Sequence, residues 1–253
     1  MLAVLCIVAA CSGRGVNGGS SSTLPSTPQL QQGAAARIAA ATTPQPTPTP
    51  IVLGQGQQDG EPGQFKPATG DSSAGGTGKP VDGIPCGNMY DGSPSDRTYH
   101  VHAFLGVMLN GKHVAIPPTI GMVQPGPTSS PGFYSSAKCF YQIHTHDASG
   151  YIHMESPSLT SKTPYSDSLF TLGNVLHVWG QPLTSSGFAN FAGPVHVFYA
   201  TTNLGNTHGG AYNQYTGTSP QSIPIYSHEA IWIEVGTFVP ASQLPRVIFF
   251  TQY

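Results

Sequence analysis

Residues 12 to about 80 hold almost nothing from which a core could be built. Ser, Gly, Thr, Pro, Gln and Ala dominate, as in Thr43-Pro44-Gln45-Pro46-Thr47-Pro48-Thr49-Pro50. Such a stretch buries too little apolar surface to offset the entropy of ordering it. It reads as a disordered linker over 12–83, stiff through the Thr-Pro run and flexible where Gly prevails. Folding is then left to residues 84–253, about 170 residues and enough for one ordinary hydrophobic core. All ten histidines of the chain lie in that part, from His100 to His228.

Ahead of the linker, residues 1–11 read as an export leader. The short apolar run ends in Val8-Ala9-Ala10-Cys11, which resembles a lipobox, with Cys11 the lipidated residue. The basic n-region usual in such leaders is not present, and an ordinary leader cleaved elsewhere is the alternative. Ten apolar residues are too few to span a bilayer as a helix. The expectation is an exported protein, lipid-anchored at the cell envelope, in the periplasm or on the outer surface. Cys6 leaves with the leader, so Cys86 and Cys139 remain as a pair. In an oxidising compartment they are expected to form a disulfide, with thiolate metal ligands as the alternative.

Charged residues make up 8% of the chain and the formal net charge is -2. No basic patch exists to draw in nucleic acid or an anionic membrane surface, so contact with a membrane is expected only through the lipid anchor. Within 84–253 the pattern is mainly β, and a single sandwich- or barrel-like domain with one short helix is expected. Tyr99–Leu109 alternates, Asn110-Gly111 is a hairpin signal, and 112–116 returns. Further strands are read at 140–146, 151–155, 195–201, 230–235 and 247–251. Apolar spacing of three to four over 169–179, stopped by Gly180, predicts the helix. No βαβ rhythm is visible.

The chemistry concentrates in His144-Thr145-His146-Asp147-Ala148-Ser149-Gly150-Tyr151-Ile152-His153-Met154-Glu155 and in His100-Val101-His102. Alternate residues of a strand share a face, so His100 and His102 pair up, as do His144 and His146, and His153 and Glu155. If 147–150 closes a simple hairpin, His144 stands opposite His153, and opposed Cβ atoms lie roughly 4.5 to 5.5 Å apart. Imidazoles at that spacing can hold one metal ion, with His100 or His102 completing the set from a neighbouring strand. The expected ligands are His100, His102, His144, His146, His153 and Glu155. Asp147, His228 and Glu229 are candidates for orienting a ring or for acid–base work. An imidazole-rich, carboxylate-flanked set suits Zn, Cu, Ni or Fe and not Mg or Ca. Met154 alternates to the other face and reads as core. Ser149 lacks the Gly-x-Ser-x-Gly context of an activated nucleophile.

The His-Thr-His-Asp block, Tyr99-His100-Val101-His102-Ala103, Phe170-Thr171-Leu172-Gly173, Trp179-Gly180 and His228-Glu229 together resemble a group of uncharacterised exported proteins of bacteria and archaea. The resemblance covers most of 84–253 and none of the linker. It implies membership and no activity. The stretch 201–222 departs from it as an insertion rich in Asn, Gly, Thr and Tyr.

Three functions follow from these readings. The first is capture or delivery of a transition metal by an exported, tethered domain. The second is a metal-dependent enzyme at the same site, for which no substrate apparatus is recognisable. The third is a metal-free surface interaction module using the tether and the insert region with Tyr212, Tyr215 and Tyr226, its protein partner unspecified.

Overall fold

A computed structural model describes residues 47–67, 76–87, 99–156, 168–200 and 211–248. The leader with Cys11, the linker over 12–46 and 68–75, and His208 lie outside the described residues. Among the described residues the fold is mainly β with a single α-helix, as the alternation and turn residues lead one to expect.

A mixed central sheet positions the site. Its strands are β1 (Glu61–Pro62), β2 (Tyr99–Leu109), β3 (Lys112–Ala115), β4 (Ile143–His144), β5 (Tyr151–Ser156), β6 (Val195–Ala200), β7 (Asn213–Gln214) and β8 (Ala230–Val235). They run in the order β4-β5-β2-β8-β6-β7, with β3 on the distal half of β2 and β1 on β3. The long strand β2 is antiparallel to β5 and β3 on one edge and parallel to β8 on the other. It is buried on both faces, which is why it reads as a near-continuous apolar run.

Alternation sorts the two faces. Tyr99, Val101, Ala103, Leu105 and Val107 join Ile231, Ile233 and Val235 in the larger core, with Val175, Leu176 and Val178 of the helix α1 (Leu172–Trp179). The other face carries His100, His102, Phe104 and Met108; Phe104 and Met108 pack with Phe198 and Trp232 beneath Ile51, Leu53, Leu244 and Val247. Gly106 sits directly opposite Trp232, and a Cβ there would lie 2.4 Å from the indole. A side chain at 106 would therefore expel the largest residue of this smaller core.

The helix starts later than the apolar spacing alone suggests. Phe170 and Thr171 first pair with Pro224–Ile225. Thr171 then caps the helix, its hydroxyl accepting from Asn174 N while Asn174 Oδ1 accepts from Thr171 N. Gly180 ends it in the left-handed region.

Two differences from the sequence reading concern the edges. Residues 47–67 and 76–83, part of the expected linker, belong to the fold. Ile51–Val52 pairs parallel to Val247–Ile248, β1 pairs with β3, and Phe65 packs on Trp179, Phe188 and Phe191. A few apolar residues in a polar background suffice there, because each docks on a pre-existing edge. Cys86 and Cys139 form the expected disulfide, Cα atoms 5.5 Å apart, between two strands of a small sheet. The described part of the insert is no free loop: β7 extends the central sheet along β6, and Tyr212 is buried with its hydroxyl donating to Pro245 O.

Candidate metal centre

The expected hairpin register is present. His144 stands opposite His153, which stands opposite His102 on the next strand, so three imidazoles form a row across β4, β5 and β2. His100 stands opposite Glu155 one step along. His146 lies beyond the end of β4, in the loop, and turns back to the row. That loop is held by its own polar groups. Asp147 Oδ1 accepts from the Ser149 amide and hydroxyl, Asp147 Oδ2 accepts from Gly56 N, and Thr145 Oγ1 accepts from Ile120 N.

Five imidazoles thus gather in one place. Ring centroids lie 4.5 Å apart for His146 and His153, 4.6 Å for His102 and His153, and 4.8 Å for His144 and His146. Two triads offer nitrogens within 4.8 Å of one another: His100, His102 and His153, and His144, His146 and His153. His153 belongs to both. His144 and His146 of the second triad are buried and the shared His153 side chain is 12% exposed, whereas that of His100 is 22% exposed. Glu155 is buried between them, its Oε1 3.1 Å from His100 Nε2 and 3.7 Å from His153 Nδ1. Phe133 stacks on His146, Phe140 meets His144 edge-on, and Tyr151 stacks on His102.

The hydrogen bonds assign two tautomers. His144 Nδ1 lies 2.9 Å from Tyr141 O and His146 Nδ1 2.5 Å from Tyr134 O. A carbonyl only accepts, so both Nδ1 atoms carry the proton and both Nε2 atoms present lone pairs. Those Nε2 atoms are 3.1 Å apart. Two lone pairs at that distance repel unless a cation lies against both. A proton could serve only by charging a ring, which burial opposes: it holds His144 well below the usual imidazole range, with His146 and His153 lowering it further. Burial also lowers His146, against the Tyr134 carbonyl and Glu155. His102 is held low by burial and then by His153 and His100.

A metal ion meets the requirement. Tetrahedral ligands about 2.0–2.1 Å from a zinc-like ion are about 3.4 Å from each other, close to the spacing of the Nε2 pair. A backbone carbonyl on the far nitrogen is the usual way a ligating imidazole is oriented.

All six expected ligands converge, and the three auxiliary candidates beside them make other bonds. Asp147 spends its carboxylate on the loop. His228 donates its amide to His102 O, 2.6 Å away, and burial lowers its ring. Glu229 accepts from Tyr226 N, and burial pushes its carboxyl up to about 7. Sequence reasoning missed the Tyr134 and Tyr141 carbonyls and the aromatic walls Phe133 and Phe140. Tyr141 is three residues from His144; Tyr134, twelve from His146, has no local signal.

Fold and site together define a β-domain with a buried polyhistidine cage. The chain matches no known family, no curated protein and no solved structure.

Proposed function

We propose that this protein binds one transition-metal ion through His144, His146 and His153, for capture or delivery at the cell envelope. The observation that carries the reading is the pair of buried Nε2 lone pairs 3.1 Å apart, each fixed by a carbonyl on the opposite nitrogen. Glu155 supplies a buried counter-charge for a divalent ion among neutral rings. Three imidazoles suit Zn, Cu, Ni or Fe(II). The more exposed His100, with His102, forms an outer group that shares His153 with the inner one, an arrangement suited to uptake from solution. Export and anchoring through Cys11 belong to the same proposal. They are supported by the apolar leader and by a disulfide of the kind that persists in oxidising compartments.

The test is elemental mass spectrometry on the full chain, free of tag histidines, beside the His144→Ala/His153→Ala variant. About one equivalent of metal in the parent and none in the variant is expected. No metal in the parent after incubation with Zn, Cu and Ni would overturn the reading. A catalytic role for the same ion is favoured by one observation: a pocket reaches His146 and His153.

A further inference from the structure

We infer that an ion held by His144, His146 and His153 keeps one coordination position open, and that this position takes an exogenous ligand of no more than about three atoms. The inference rests on the metal reading above and adds the ligand class.

The pocket that ends on the His146 and His153 rings is walled by Leu53, Phe133 and Tyr151. Its volume is about 20 Å³, room for a water-sized group and little more. Three protein ligands plus one open position is the usual arrangement of a metal site that binds or activates a small molecule, whereas a closed site supplies four. Two polar residues of the lining, Ser149 and Asp147, are already engaged. Ser149 Oγ donates to Asp147 Oδ1, and Asp147 Oδ2 accepts from Gly56 N at 2.8 Å. An organic substrate would find few groups to orient it, so recognition falls to the metal bond and to size.

Size is set by the segment 53–56, which the sequence places in the linker and the structure lays across the site. Leu53 is buried, and Gly56, at φ +73°, packs so closely on Pro131 that a Cβ would lie 2.3 Å from its carbonyl oxygen. The wall is therefore fixed at Gly56, by this contact and by the bond to Asp147, and at Leu53 by its packing in the smaller core. Ligands that bind end-on through one atom, such as hydroxide, azide or a diatomic gas, fit such an opening. A five-membered ring does not.

Azide and imidazole distinguish the cases. The full chain is loaded with Cu(II), its metal content measured, and each ligand titrated while the charge-transfer absorption is recorded. A saturable band with one azide per copper is expected, and no displacement by imidazole. Leu53→Ala, with copper content unchanged, should bind imidazole about tenfold more tightly than the parent; Leu53→Val serves if the alanine variant fails to fold. One equivalent of copper without an azide band would show that the protein fills every position and would overturn the inference while leaving the metal reading intact. Imidazole binding to the parent as readily as azide would overturn the size limit. A band that survives in His144→Ala/His146→Ala would place the copper elsewhere and also overturn it. Failure to load any metal would sink the metal reading and the open position with it.

Discussion

At the scale of single residues, environment decides what each titratable group does. The same side chain serves different ends at positions 113, 144 and 177. His144 and His146 have their protons pinned on Nδ1, so Nε2 is left for a cation. His113 is pushed down to about 4 by burial against Trp232, and His177 pairs with Asp82 at the surface, 2.6 Å away. Away from the site, Glu234 is buried on β8 with Oε2 accepting from Val239 N, and burial pushes its carboxyl up to about 7. Its folded pKa lies above its ordinary value near 4.5, so the folded state holds the proton more tightly than the unfolded one. Stability from this group is complete below about pH 4.5 and is lost as pH rises through about 7. Glu234→Gln should therefore gain on the parent between pH 5 and pH 8, measured by urea unfolding at each. A difference that does not change with pH would show that Glu234 is ionised in the fold.

At the scale of elements, the hairpin β4–β5 and the segment 53–59 act as one unit. Asp147 joins them: it closes the loop onto Ser149 and holds Gly56, while Asp59 N donates to Ala148 O beside it. Asp147→Ala leaves buried donors without their acceptor and should cost about 1–3 kcal/mol. The loss should appear as faster amide exchange in 53–59 and 145–150, with β2 and β8 unaffected. Unchanged exchange there would assign the closure to side-chain packing instead. The hairpin of this unit was legible beforehand, and the segment 53–59 was not. The pairing of His144 with His153 follows from the turn and from period-two alternation. His146 was expected in the row as a strand residue; that it reaches the row from a loop was not legible, because β4 ends at His144 and the next residues follow loop hydrogen bonds.

At the scale of the whole molecule, closure depends on contacts far apart in sequence. The disulfide links Cys86 to Cys139 across a separation of 53 residues and ties the strand Cys86–Gly87 to Ala137–Tyr141, immediately before β4. Chain-entropy reasoning for a loop of that length gives about 4 kcal/mol of stability. Cys86→Ser/Cys139→Ser is expected to lose roughly that amount in denaturant unfolding and to bind metal more weakly. A loss under about 1 kcal/mol would mean that the surrounding sheet already restrains the unbridged chain.

Local patterns carried a good part of this protein. Alternation, turn residues and capping signals identify β2, β5, β8 and the helix, and they put His100 with His102 on one face and His144 opposite His153. They do so because side-chain direction in a strand depends only on its neighbours in the chain. The tertiary structure decided the rest: that β2 lies beside β5, so that two histidine groups become one cage, and that residues 47–67 wrap the domain and wall its pocket. Strand order and edge docking are settled by burial summed over distant segments, and no short window of sequence contains that sum.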